Sequence, residues 1–440
     1  MKIAIVGSGI SGLAVAHQLR GLANVSLFEA GGYFGGHTHT VDVTLPGLHR
    51  PVTHGVDTGF LVFNERTYPN LIALLAQLGV ETSKSDMSFS VQVPGAYGDR
   101  HARNARALEW SGSSLNTVFA QRSNLVNPRF LRMLRDVARF NQLATNIAVR
   151  NAEVELMQPL SEFLAQHRLS NEFRDWYFLP MLGCIWSCPT DQMLQFPVAT
   201  MIRFCHNHGL IQVTNRPQWW TVTGGARHYV EKIVATVADK RLNAPVQRIT
   251  RDGHGVLVTA CGQTERFDKV VLACHSDQSL AMLGDATAQE RNTLGAIRYQ
   301  PNRAVLHTDT SVLPRRQRAW AAWNYERSVD AKQDASRVCL HYLINMLQPV
   351  PFAQSVVVSL NPLREIEPCH VHGSFDYAHP VFDLAAIQAQ KVLPALQGQQ
   401  HSYFCGAWTG YGFHEDGLKS GLAVAALLKP ALAGAQGMAA

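Results

Sequence analysis

The chain begins MKIAIVGSGISG, and no other stretch limits its fold so tightly. Ile3, Ala4, Ile5 and Val6 follow one another without a polar break, which reads as a short strand over Lys2 to Val6 buried on both faces. Gly7, Gly9 and Gly12 then fall in the pattern G-x-G-x-x-G. They open a helix with Leu13, Ala16 and Leu19 along one side, and Val25 to Phe28 reads as a second strand ending at Glu29. Strand, glycine turn, helix, strand and acid in that order form the context that binds a dinucleotide. Gly7 permits the tight turn, Gly9 lets the backbone come close to a pyrophosphate, and Gly12 lets helix and strand pack closely. Ser8, Ile10 and Ser11 complete the loop, where a helix amino terminus offers unpaired N–H donors to phosphate. Glu29 is placed to accept hydrogen bonds from the adenosine ribose.

Composition narrows the class further. With 440 residues, 46% apolar and 16% charged, the chain can bury a large core, and two domains are expected. The net charge of +6 is carried without any dense Lys/Arg run, so no nucleic-acid partner is expected. Eight cysteines lie scattered, and Cys184 and Cys188, four apart, fit no zinc or redox spacing. All eight are expected to be reduced thiols in a cytoplasmic setting. The apolar run at the amino terminus is too short for a secretory signal, and no stretch approaches a membrane span. The expectation is a soluble protein, with contact at the membrane periphery left open. His37-x-His39 and His206-x-His208 have no acids or cysteines nearby at ligand spacing, so no metal site is expected.

The stretch EAGGYFGGHTHT, which begins at Glu29, indicates which dinucleotide is bound. It resembles the motif of the flavin-containing amine oxidase and carotenoid desaturase superfamily: an acid, a small residue, two glycines, an arginine and a threonine. Ala30, Gly35, Gly36 and Thr40 match it, and His37 stands where the arginine usually does. DTGF, with Gly59 and Phe60, resembles the next shared element, which passes near the isoalloxazine. The resemblance implies FAD, held non-covalently; covalent attachment through Cys369 or Cys405 is not expected. It also assigns Val246, in PVQRI, to the adenine side, and Ala273 to a small-residue turn between a strand and a helix. Near the carboxyl end, SYFCGAWTGYGFHEDGLKSG reads as a strand, a loop and a helix. Gly406, Ala407 and Trp408 fall where the superfamily chain passes the pyrophosphate and ribitol. Asp416 suits a helix N-cap. Gly417 and Leu418 would then lie in the first turn, with N–H groups free to face the pyrimidine edge of the flavin.

A narrower resemblance rests on WYFLPMLGCIWSC, on NHGLIQVTNRPQWWTVTGG, and on FDYAHPVFD together with the FCGAWTGYGFHEDGLKSG of the carboxyl end. These resemble bacterial flavoproteins similar to the amino-terminal domain of plant cyclopropane fatty acid synthases. The fold implied is α/β: a Rossmann-like FAD-binding domain of the amine oxidase type, interleaved with a mixed α+β substrate domain. The boundaries expected are 1–65, 215–285 and 370–432 for the first, 66–214 and 286–369 for the second, and a frayed tail at 433–440. The activity implied is that of an FAD-dependent oxidoreductase in modified fatty acid metabolism, with a small-molecule or lipid substrate and a cyclopropane fatty acid synthase-like methyltransferase as partner. Two alternatives stay open: a flavin amine oxidase producing hydrogen peroxide, and a flavin-bound partner of a lipid methyltransferase without turnover of its own. Amine oxidases of the superfamily commonly place a lysine near flavin N5. No lysine occurs here between Lys269 and Lys332, where Asn302 and Arg303 stand instead. His414, Glu415 and Tyr342 are the candidate catalytic residues, with Trp186 and His341 also expected near the ring. Glu415 has a bland alternative as a backbone cap, and Tyr342 and Trp186 as core.

Overall fold

The computed structural model describes residues 1–97, 106–152, 156–212, 216–330 and 337–437, with backbone alone for 106 and 433–437. A five-stranded parallel sheet stands at its centre, in the order Asp239–Arg241, Asn24–Phe28, Lys2–Val6, Lys269–Leu272, Ser402–Phe404. Alternation along the first strand explains why it is apolar throughout. Ile3 and Ile5 pack with the helices Ile10–Gln18, Arg227–Val234 and His414–Gly437, whereas Ala4 and Val6 pack against the antiparallel layer Val246–Asp252, Gly255–Ala260 and Gln263–Phe267. From the first strand the chain crosses to one side, and the strand 269–272 lies on the other. The carboxyl end of Lys2–Val6 is thus a topological switch point, where α/β sheets bind ligands.

A second, mixed sheet has seven strands in the order Val371–Val381, Arg298–His307, Val357–Leu360, Cys339–Leu343, Trp323–Glu326, Phe89–Tyr97, Arg106–Ser111. Ala304, Leu306, Leu340 and Val358 project from one face into the largest apolar cluster, with Phe130 and Phe140 of the helix Pro128–Val149. Asn127 caps that helix, its side-chain oxygen accepting from the N–H groups of Arg129 (3.0 Å) and Phe130 (3.3 Å). The antiparallel pair Thr40–Pro46 and Pro51–Asp57 and the strands Phe63–Asn64, Trp219–Val222 and Thr82–Ser85 form two smaller sheets. None of the eight cysteines is paired in a disulfide. Among the described residues no helix is long and apolar enough to cross a membrane.

The last helix corrects two expectations. It starts at His414, two residues before Asp416, and continues to Gly437, so the stretch 433–437 is helical rather than frayed; 438–440 lie outside the described residues. Asp416 therefore sits inside the first turn. Its Oδ2 accepts from the N–H groups of Tyr411 (3.1 Å) and Phe413 (3.0 Å), tying down the incoming loop. A Cβ on Gly417 would lie 2.8 Å from Ile10 Cγ2, and one on Gly421 would lie 2.4 Å from the Ser11 carbonyl oxygen. These two glycines let the last helix lie against the first, which is how the two ends of the chain meet.

Candidate active site

A cavity of about 710 Å³ opens at the carboxyl end of the parallel strands. Its wall includes Gly7, Ser8, Gly9, Ile10, Ser11, Glu29, Ala30, Gly35, Gly36, His37, Gly59, Phe60, Val246, Ala273, Gly406, Ala407 and Trp408. Residues from seven separate stretches of sequence thus converge on one space. Gly7 adopts φ +102°, and its N–H donates to the Phe28 carbonyl at 2.9 Å, turning the chain from strand to helix. A Cβ on Gly12 would lie 2.0 Å from the Gly7 oxygen, so Gly12 packs helix on strand and does not face the cavity. A Cβ on Gly9 would meet no protein atom within 4 Å. Gly36, at φ +58°, brings the second glycine cluster onto the first, since a Cβ there would sit 3.2 Å from Gly9 Cα. Glu29 braces both loops: Oε2 accepts from the Ser8 N–H (3.0 Å) and hydroxyl (2.5 Å), and Oε1 from the Gly31 N–H (2.8 Å). Trp408 closes the wall, its indole N–H donating to the Cys274 carbonyl at 3.1 Å.

Several expected residues turn out to lie elsewhere. Thr40 faces away from the cavity; its hydroxyl donates to Asp57 Oδ1 at 2.5 Å and accepts from the Arg227 N–H at 3.0 Å. That pair anchors the turn into the helix 227–234, with Asp57 also accepting from the Ala226 N–H (3.0 Å) and from Gln348 Nε2 (2.8 Å). Burial pushes the Asp57 carboxyl up to about 7 despite these donors. Gly417 and Leu418 do not line the cavity, and the Gly417 N–H is spent on the Phe413 carbonyl at 3.1 Å. The first-turn donors without an intrahelical partner are instead those of His414, Glu415 and Asp416. Glu415 is a cap: its carboxylate accepts from the Asn70 N–H (3.1 Å), the Asn70 amide (2.6 Å) and the Leu71 N–H (3.0 Å) at the start of the helix Pro69–Gln77.

His414 and Tyr342 do line the cavity, whereas Trp186 does not; its indole N–H donates to the Tyr411 carbonyl at 3.3 Å. His414 stacks on Phe60 with ring centroids 3.9 Å apart, and its Nε2 lies 2.7 Å from the Tyr229 hydroxyl, which in turn contacts the Thr38 hydroxyl. Burial, helped by His37, lowers the His414 imidazole to about 3. Tyr342 crosses Trp323 edge to face at 5.0 Å, both facing the cavity, and burial raises its phenol well above the ordinary range.

His341 lies on the opposite face of the same sheet. The Asp309 N–H donates to His307 Nδ1 (3.1 Å), so Nε2 of that neutral ring carries hydrogen and donates to Ser359 Oγ (2.6 Å). The Ser359 hydroxyl then donates to His341 Nδ1 (2.7 Å), and His341 Nε2–H donates to Glu326 Oε2 (3.0 Å). Cys339 lies 3.4 Å from that Nε2. Glu326, Cys339 and His341 lie close enough together to hold a metal ion. The relay nevertheless gives a partner to each polar atom along it, so the cluster is complete as a buried hydrogen-bond chain.

Residues missed from the sequence include His275 and His379. His275 stacks on Tyr299 at 4.2 Å, and His379 Nδ1 lies 2.8 Å from the Asn302 amide. The His37 ring lies 5.3 Å from His379 and 6.3 Å from His275, and all three line the cavity. Burial lowers His37 and His275 to about 4 and His379 to about 3, with neighbouring imidazoles adding to the effect. FDYAHPVFD carried a signal for His379 but no role, because His37 meets it only by packing across the fold. Neither Cys369 nor Cys405 lines the cavity, and among the described residues no lysine does.

The chain matches the sequence profile of the family described as flavin containing amine oxidoreductase over residues 10–329. It is 26% identical over 280 residues to AofH of Mycobacterium tuberculosis, named as a flavin-containing monoamine oxidase. That match covers 60% of this chain and 55% of AofH, so the chain spans about half the length of the curated relative it matches. Similar solved structures include a CLA-producing fatty acid isomerase from P. acnes, with TM-score 0.66, 16% identity and coverage of 96% and 97% of the two chains. Cyclohexylamine oxidase from Brevibacterium oxydans gives TM-score 0.65 and 17% identity, with 98% and 99% covered. Putrescine oxidase bound to putrescine gives 0.67 and 16%, with 97% and 99% covered. These likenesses establish the shared fold. Members of the matched family bind FAD non-covalently, and two features here fit that group: the open space in front of Gly9, and His37 Nε2, a buried cavity-wall nitrogen with no hydrogen-bond partner in the protein.

Proposed function

Because the chain belongs to the flavin-containing amine oxidoreductase family, we propose that it uses FAD to act on a fatty acyl chain or a similarly apolar lipid. The observation that carries this reading is the wall of the cavity away from the glycine loops. Met87, Ile185, Leu210, Trp219, Trp323 and Tyr342 meet there, and no lysine or carboxylate stands among them. Such a wall holds a chain by area and shape, and offers no charged group for an amine to pair with. Bound FAD supplies the two-electron chemistry. On this reading Gly9, Gly36 and the amino terminus of the helix 10–18 would hold the phosphates, Glu29 the ribose, Gly406 to Trp408 the pyrophosphate and ribitol, and His414 the ring end.

His414, kept neutral by burial and held by Phe60 and Tyr229, offers the cavity a fixed ring face and an uncharged hydrogen-bonding edge. On this reading 1–65, 215–285 and 382–432 serve the cofactor and 66–214 and 286–381 the substrate; the boundary expected at 370 moves because the strand Val371–Val381 pairs with Arg298–His307 in the seven-stranded sheet. The resemblance read from the sequence, to the amino-terminal domain of plant cyclopropane fatty acid synthases, points to a modified fatty acid as substrate and a methyltransferase of that class as partner.

The test is an anaerobic titration of the purified yellow protein with phospholipid extracts and free fatty acids, following flavin absorbance. Bleaching by a lipid is the expected result. A flavin inert to every lipid, together with peroxide release from a panel of amines, would replace this reading by the amine oxidase that the AofH match favours.

A further inference from the structure

One surface of the protein is rich in arginine. Residues 107–135 and 310–320 contain seven arginines, no lysine and a single acid, Glu109, while Glu172 and Asp136 reach the same surface from outside these segments. The fold joins the two segments, for the 3-10 turn Gln317–Ala319 packs against the short helix Leu115–Val118 and against the strand Arg106–Ser111. Four of these arginines have carboxylate neighbours: Arg316 with Glu109, Arg129 and Arg132 with Glu172, and Arg135 with Asp136. Among the described residues Arg122, Arg315 and Arg318 have no carboxylate partner, and Arg122 instead donates to the Phe119 carbonyl and to Asn116.

The same surface exposes apolar side chains. Leu115 is 79% and Val126 83% exposed, with Leu125 and Leu131 close to half. A cationic surface without apolar side chains suits any polyanion, nucleic acid included. Leucine and valine standing out between arginines suit a bilayer, where they enter the boundary between headgroup and acyl chain while the guanidinium groups meet anionic phosphates. The basic turn also leads directly into the strand Trp323–Glu326, whose first residue lines the cavity.

We propose that Leu115, Leu125 and Val126, with Arg122, Arg315 and Arg318, form the surface by which this protein docks onto an anionic lipid bilayer. The docking rests on charge and exposure; its use for drawing substrate from the membrane rests on the fatty acyl reading above.

The experiment is flotation of the FAD-loaded protein with vesicles of phosphatidylcholine alone or mixed with phosphatidylglycerol, at low and high salt. Wild type is expected to float with the mixed vesicles and to be released by salt. Each arginine lost should weaken binding about fivefold and its reversal more, so the triple variant Arg122→Glu, Arg315→Glu, Arg318→Glu should lose at least about a hundredfold. The double variant Leu115→Asp, Val126→Asp should also fail to float. Unchanged flavin absorbance in both variants shows that the fold is intact, since none of these residues lines the cavity. Wild type that stays in the buffer, or floats equally on pure phosphatidylcholine, overturns the proposal. So does an apolar variant that floats as well as wild type, which would make the surface a general polyanion site. Flavin bleaching by detergent-dispersed fatty acid is read separately, so loss of docking and loss of the substrate reading are told apart.

Discussion

Replacing Gly9 by alanine separates the cofactor site from the fold. Gly9 is the N-cap of the helix Ile10–Gln18, with φ −63° and ψ 176°, a conformation open to alanine without strain. The added methyl meets no protein atom within 4 Å, so it projects into the cavity. Without cofactor, the narrower unfolded ensemble favours the variant by about 0.4–1 kcal/mol, and alanine's poorer capping offsets a similar amount. The apoprotein should therefore melt within a few degrees of wild type. With cofactor, one methyl forced into a close-packed contact costs about 1–3 kcal/mol, or about 5- to 150-fold in affinity. Gly12→Ala is the counterpart. Its methyl would sit 2.0 Å from the Gly7 carbonyl oxygen, a backbone atom that cannot move aside, so the apoprotein itself should be destabilised by about 3 kcal/mol or more. Circular dichroism melts of the two apoproteins and fluorescence titration with FAD read both effects. If Gly9→Ala binds FAD as tightly as wild type, or if both variants melt alike, the assignment of the two glycines is wrong.

Three other perturbations probe the cap, the imidazoles and the apolar wall. Glu415→Ala leaves three donors at the start of the helix 69–77 without an acceptor and should destabilise the protein by about 2–4 kcal/mol, while Glu415→Gln should recover part of that and keep turnover per bound flavin; a folded Glu415→Gln without turnover would restore Glu415 as a catalytic base. His37, His275, His379 and His414 are held at about 3–4, below the ordinary 6.5, so the unfolded chain binds more protons in that interval. Their stabilising effect is complete above about pH 6.5 and is lost as pH falls toward 4, at about 1.4 kcal/mol per pKa unit for a fully buried ring and less for these partly solvated ones. Asp57 and Asp416, raised to about 7 and 6, oppose the trend with two groups against four; an apoprotein whose melting temperature does not fall between pH 7 and 5 would contradict it. Met87→Trp fills the apolar end of the cavity, so long acyl chains should lose their bleaching rate while FAD affinity stays within about twofold; equal loss for short and long chains would argue against a chain-binding wall.

The narrower features of the site depend on contacts no local pattern contains. Asp416 has the chemistry of an N-cap and two backbone donors to hold, yet the helix starts at His414 because the Phe413 carbonyl is already the first acceptor. Glu415, next to it, holds Asn70, 345 residues earlier in the chain. Thr40 matches a phosphate-binding motif by spacing, but the hairpin 40–57 turns it toward Asp57. His275 stands at the N-cap of the helix Ser276–Met282 and His379 sits in a long edge strand, and only the packing of that strand against the loop holding His37 brings His379 beside it.

What the sequence determined by itself is the part whose contacts are local. The strand 2–6, the glycine turn, the helix 10–18 and the strand 24–28 lie within thirty residues, and their apolar periods and glycines leave one arrangement that buries the apolar side chains and pairs the backbone. Tertiary structure decided which groups share the cavity. A periodicity says which face of a strand is apolar, but not which distant strand will cover it, and the four imidazoles, the apolar wall and the arginine surface each join segments more than a hundred residues apart.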